Sequence, residues 1–165
     1  ALATGAAAEN GLFGCDWKLP MQNKKGLIVQ TSPVPDLINH VLMTNDVHFK
    51  QNMDGTLTAG EIFSGDLEKN IVALDLASDV LTRISRKLDF STNLIPTNIK
   101  IGNRPVPIDG FPVVGNIEGY KGVFVAVMHS GVTLAPLIGQ LLASEMLKTS
   151  KSPLLEPFRP SRFGS

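Results

Sequence analysis

The sequence predicts an α+β fold, a mixed and largely antiparallel sheet with two long helices against it. Three stretches carry that prediction. "VHFKQNMDGTLTAGEI" places two alternating segments around Asp54-Gly55, a dipeptide suited to the positive φ angles of a type I′ hairpin turn. From Asp66 the period lengthens, and Leu67, Ile71, Leu74, Ala77, Leu81, Ile84 and Leu88 recur every three or four residues, one face of an amphipathic helix. "GVFVAVMH" is an apolar run that passes into a second helical segment, Val132 to Lys148.

The remaining elements follow in order. "ALATGAAAENG" starts apolar and meets Gly5, a strand running into a loop. "GLIVQTSP" is rich in β-branched residues and ends at proline, a strand. Ser64 or Asp66 caps the first long helix, and Arg83, Arg86 and Lys87 suit the negative end of its dipole. "TNIKIG" reads as a further strand, and "NRPVPIDGFPVVG" as a Pro/Gly-punctuated turn entering a short one. Within that turn Asp109 serves the backbone through its side-chain oxygen.

Composition narrows the function classes. The 165 residues are one domain's worth of chain, enough to bury about 70% of the unfolded surface. Fifteen basic and fifteen acidic side chains cancel, so no electrostatic footprint for nucleic acid or an anionic membrane is present. No apolar run approaches the ~20 residues of a membrane span. Cys15 is a single cysteine without an internal disulfide partner, which favours a reducing, cytoplasmic setting. The chain begins with Ala rather than Met, as a portion of a longer protein would.

The segment "AVMHSGVTLAPLIG" combines a buried strand, a polar knot of His129, Ser130 and Gly131, and a helix start. Such a turn exposes unpaired helix N–H groups, which with the positive dipole end favour negative charge beside them. Ser130 or Thr133 serves as N-cap, Pro136 falls in the first turn, and Gly131 allows close approach to the backbone. The same residues also admit a plain structural reading, a capped strand-to-helix turn with a satisfied histidine. Ser130 does not sit in a Gly-x-Ser-x-Gly elbow, which argues against a serine hydrolase.

Several of these stretches, taken together, resemble the C-terminal third of FAD-dependent amine and amino-acid oxidoreductases, the family of D-amino-acid oxidase, glycine oxidase and sarcosine oxidase. The matching residues are Arg104-Pro105, Asp109-Gly110-Phe111-Pro112, Gly115, His129-Ser130-Gly131, and Pro160 to Phe163. "ALATGA" is similar to the end of the flavin domain's strand, and "KKGLIVQTSP" to the strand that follows the crossover. The resemblance implies residues 1–11 as the end of the flavin-domain strand, 12–104 as a substrate-binding domain, and 105–165 as the return to the flavin domain.

It further implies FAD as cofactor, an amine or amino acid as substrate, and hydride transfer to the flavin. Arg104 takes the role of carboxylate binder. Gly5, Gly115, His129, Ser130, Gly131, Val132 and Thr133 take the role of cofactor contacts. The Gly-x-Gly-x-x-Gly fingerprint that holds the ADP half of FAD does not occur in this sequence. The chain is therefore expected to need a flavin-domain segment, from the same or another chain, before it binds FAD or acts. A non-catalytic binding or assembly module, a small subunit sharing the fold without its own flavin site, is the alternative.

Overall fold

A computed structural model describes residues 1–11, 16–64, 73–88, 93–148 and 150–164. They form two units, Lys24–Asn103 and the combination of Ala1–Asn23 with Arg104–Ser165. Both are built from antiparallel strands and one long helix each, the α+β class that the periodicities predict. Cys15, Asp66, Leu67 and Ile71 lie outside the described residues.

The central unit is a five-stranded sheet. Its strands are β1 (Lys24–Pro33), β2 (Leu42–Met43), β3 (His48–Gln51), β4 (Thr56–Ser64) and β5 (Pro96–Asn103), in the order β2-β3-β4-β1-β5. Every pairing is antiparallel. Alternation along β1 sets the two faces: Leu27 and Val29 are fully buried, whereas Ile28 between them is 51% exposed. The buried face meets helix α1 (Ala73–Leu88) through Ala77, Val80, Leu81 and Ile84, the i, i+3, i+4, i+7 stripe of an amphipathic helix. Leu74 fits the same spacing but is half exposed, one turn before the packed stretch.

Basic residues at the end of α1 act through side chains rather than through the helix dipole alone. Arg83 binds Glu61 of β4 and, at 3.1 Å, Asp79, while Lys87 reaches Asp46 at 2.8 Å. These pairs tie the helix to β4 and to the loop before β3. The Asp54-Gly55 hairpin also differs from its expected form. Only Gly55 has positive φ (82°), and Asn52 N–H donates to Thr56 O across a three-residue loop. That is a type I turn closed by a left-handed glycine, because Asp54 spends its carboxylate on Thr56 N–H and hydroxyl instead of adopting positive φ.

The second unit is built on the hairpin of β6 (Val113–Asn116) and β7 (Phe124–Val127). The N-terminal strand expected before Gly5 contracts to a single residue: Leu2 bridges Val125 in parallel, and Gly5 (φ 59°) turns the chain into a 3-10 helix, Gly5–Asn10. One face of the hairpin, Val113, Val125 and Val127, packs with Ala8, Trp17, Leu19 and Ile117. The other face, with Val114, packs with Met128, with Ile138 and Leu142 of helix α2 (Gly131–Met146), and with Leu155 of the tail.

Because α2 begins at Gly131, Pro136 is its sixth residue and not part of the first turn, so the Val132 carbonyl loses its i+4 donor. No helix among the described residues is long and apolar enough to cross a membrane.

Thr31 is the buried polar residue at the irregular end of β1. Its register with both β4 and β5 shifts next to Gln30, and its hydroxyl accepts Leu57 N–H at 3.0 Å while donating to Ser32 O at 2.7 Å. Thr31→Val keeps the shape and strands a buried N–H, so urea unfolding should show a loss of about 1–3 kcal/mol. An unchanged midpoint would mean that the Leu57 N–H finds another acceptor.

Candidate functional site

The start of α2 gathers most of the residues that the sequence marks. His129 and Ser130 lie one residue beyond β7, after the buried Met128, and are exposed. Ser130 occupies the N-cap position, but its side chain makes no cap hydrogen bond. The first intrahelical bond runs from Leu134 N–H to Ser130 O at 2.9 Å. The N–H groups of Gly131, Val132 and Thr133 precede it and are left for something outside the helix. A Cβ built on Gly131 would meet nothing nearer than Met128 Cγ at 3.9 Å. Neither packing nor backbone angle demands glycine there, so its absent side chain leaves the helix start bare.

Arg104 reaches the same place from the other end of the unit. Its Nη1 lies 3.1 Å from His129 Nε2. Pro105 follows, and the Cβ position of Gly5 lies 4.0 Å from Pro105 Cβ. Gly5, Arg104 and the turn from His129 to Thr133 thus converge from three separated parts of the chain. His129 Nδ1 lies 3.4 Å from Ser130 Oγ while Nε2 faces a guanidinium, an arrangement that serves no nucleophilic serine. No group of three or more metal-ligating side chains occurs among the described residues.

Gly115 stands elsewhere. Its φ is 139°, and a Cβ there would lie 3.0 Å from Arg159 Nη1 and 3.4 Å from Pro160 Cδ. The glycine lets the C-terminal tail cross β6 at close range. Sequence reading missed this role, although the Glu145 and Arg159 that create it are both visible in the sequence. Arg159 grips Glu145 of α2 through two bonds of 2.8 and 2.7 Å and reaches Glu156 at 3.1 Å. The Glu145 side chain is only 6% exposed.

Arg162 likewise donates from Nε and Nη2 to Asp109, at 2.6 and 3.2 Å, and lies over the Phe163 ring. Asp109 Oδ1 also accepts Phe111 N–H at 3.0 Å, the turn role expected of it. The Asp-Gly turn and the Arg-Phe tail, far apart in sequence, are therefore one ion-paired structure.

Clefts among the described residues lie away from this cluster. One, about 420 Å³, is lined by Asn116, Glu118, Glu145, Lys151, Glu156 and Arg159 and is largely the surround of the Arg159 ion pairs. Another, about 650 Å³ and in the sheet unit, lies beside the loop that Gln51 pins through Leu37 N–H, Ile38 N–H, Val34 O and Pro35 O. His48 and Lys50 are exposed on the open face of the same sheet, opposite Gly60 and Thr58 of β4.

An open helix start beside an arginine is an arrangement that suits an anionic group. The chain belongs to the DAO family of FAD-dependent oxidoreductases, whose family model matches residues 1–145. It is 27% identical over 170 residues to the hydrogen cyanide synthase subunit HcnC of Pseudomonas protegens, covering 99% of this chain and 40% of that protein. Among solved structures, iminodiacetate oxidase from Chelativorans sp. BNC1 superposes with a TM-score of 0.75 at 20% identity, over 96% of this chain and 44% of that one. Glycine oxidase from Geobacillus kaustophilus gives 0.72 at 24% identity, over 97% and 44%. The chain spans about two fifths of the length of the curated relatives it matches.

The ion pairs supporting this region have a pH signature. Arg159 beside Glu145 holds its carboxyl below the ordinary 4.5, and Arg162 beside Asp109 holds that carboxyl below the ordinary 3.8. Both are lowered in the folded protein. Their stabilisation is complete above the unfolded-state values and is lost as pH falls through the folded ones. Urea midpoints followed from about pH 7 to about pH 3 should fall on the acid side. Glu145→Gln should flatten that fall and cost about 3 kcal/mol near neutrality, the low end for breaking a buried pair because Glu156 remains with Arg159. An unaltered acid limb in this variant would assign acid unfolding to other carboxylates.

Proposed function

We propose that this chain is the substrate-domain and C-terminal portion of an FAD-dependent enzyme that oxidises an amine or amino acid. The observation that carries the reading is the convergence of Arg104, His129 and the uncapped start of α2 at one place. FAD, when bound, accepts the hydride from the substrate C–H beside the amine nitrogen. The residues present fit the anionic edge of such a group: three helix N–H groups without a side-chain cap, on a turn whose glycine has no packing need for a missing Cβ. Gly131, Val132 and Thr133 would hold that edge, with His129, Ser130 and Gly5 beside it. Gly115 belongs to the same assignment only as the position that seats the tail.

Each part of the chain then has a task. The N–H groups of α2 stabilise negative charge as it develops, in the manner of an oxyanion hole. Arg104 binds a substrate carboxylate, and a guanidinium suits this because it keeps its charge at any working pH and offers paired donors. The flavin-domain segment is the partner we assign to the exposed apolar residues of α2, Val132 and Leu137 among them. The domain division at residues 1–11, 12–104 and 105–165 is part of the same proposal, as is a cytoplasmic setting, which the single cysteine supports.

Two measurements test the reading in the full-length, flavin-bound protein. Gly131→Val should fold normally, since its Cβ position is clear, yet lose flavin; far-UV circular dichroism should hold while flavin absorbance falls. Normal flavin content and turnover in this variant would return the turn to a structural role.

Arg104→Ala should cost about 2–5 kcal/mol in kcat/KM for an amino acid, the range for removing one member of a desolvated charge pair. The decarboxylated amine should be nearly indifferent, and Arg104→Lys should recover only part of the loss. A coupling energy near zero between the arginine and the carboxylate would remove Arg104 from substrate recognition.

A further inference from the structure

The contact between Arg104 and His129 has a direction. A guanidinium carries five N–H donors and no acceptor. Across the 3.1 Å separation Arg104 Nη1 therefore donates, and His129 Nε2 holds a lone pair. The ring proton then sits on Nδ1, which faces Ser130 Oγ at 3.4 Å. In this tautomer the imidazole is neutral.

The rest of the guanidinium is equally defined. Arg104 Nε is buried and has no hydrogen-bond partner among the described residues, so the side-on edge that uses Nε is closed. The end bearing Nη1 and Nη2 is the one left for a ligand. The backbone behind it is held by Pro105 and by Val106 N–H donating to Arg104 O at 2.9 Å. Arg83, Arg159 and Arg162 each bind a carboxylate, but no carboxylate among the described residues pairs with Arg104.

We propose that His129 is a positioning residue for Arg104: a neutral imidazole protonated on Nδ1 orients the guanidinium and leaves its positive charge uncompensated for a ligand carboxylate. The proposal rests on the reading of Arg104 given above and extends it. An acidic side chain at position 129 would orient the arginine equally well but would neutralise the charge that recognises the ligand. A lysine there would repel it. Only a neutral acceptor fixes the fork and preserves its charge, and an imidazole or a carboxamide meets that requirement.

The test uses the full-length flavin-bound protein. In ¹⁵N NMR of labelled histidine, His129 should show a protonated Nδ1 and a bare Nε2, and Arg104→Ala should abolish that preference. A proton on Nε2 in the unaltered protein overturns the proposal. Benzoate, a carboxylate without an amine, is then titrated by calorimetry. His129→Phe should weaken its binding about tenfold, the loss of one charge-assisted hydrogen bond. His129→Gln should restore most of that affinity, because the amide oxygen can accept from Nη1.

In the Arg104→Ala background, His129→Phe should have no additional effect on benzoate binding, which separates positioning of Arg104 from general damage to the turn. Weaker benzoate binding in Arg104→Ala with none in His129→Phe overturns the positioning role alone. Unchanged binding in both overturns the substrate reading of Arg104 and the positioning role with it.

Discussion

The unit that holds the candidate site hangs on the bond between Glu145 and Arg159. Helix α2 is strongly apolar in sequence, yet among the described residues it buries only Ile138 and Leu142. Two buried side chains would hold a 16-residue helix weakly. A bidentate pair between a carboxylate 6% exposed and a guanidinium 17% exposed adds a directional anchor near its C-terminal end. The same guanidinium lies over Gly115, so strand β6 must be bare at that point. Helix, strand and tail are thereby locked together, and the open start of α2 is held at the far end of an element fixed at its close.

Three arginines and a lysine serve as support. Arg83 and Lys87 seat α1 on its sheet, Arg159 seats α2, and Arg162 closes the Asp109 turn. In each case a carboxylate cancels the charge, which suits a group whose purpose is to hold structure together. Arg104 differs because its partner is an imidazole. Its charge stands beside an uncapped helix start, and no carboxylate among the described residues pairs with it. On the proposed reading, that is an arrangement for receiving an anion.

The sequence patterns recovered the two long helices and most strands but not β2 or the 3-10 helices, because burial on one face leaves a period of two or of 3.6 only in elements long enough to show it. The stripe from Ala77 to Ile84 and the alternation of Leu27, Ile28 and Val29 are examples. Details set by side-chain competition were not recoverable that way. Asp54 was free to adopt the left-handed angles of a type I′ turn, but its carboxylate found Thr56 first. The N-terminal apolar run had strand composition, but a neighbour for one residue only, Leu2 against Val125. Pro136 stands at the sixth position and outside the first turn because Ser130, and not Thr133, is the N-cap.

For the site, the resemblance to a family marked Arg104-Pro105, and it added a cofactor role to the turn at His129 to Thr133, whose residues alone left a structural reading open. Which of the marked residues share a place is a matter of distance between positions far apart in sequence, and no local pattern contains it. Arg104 and His129 are 25 positions apart and meet at 3.1 Å. Gly115, marked on equal grounds, lies beneath Arg159 instead. Local sequence fixes what a side chain or a turn can do, through propensity and chemistry. Which partner it does it with depends on the packing that brings distant segments together, and here that packing gave carboxylates to Arg83, Arg159 and Arg162 and an imidazole to Arg104.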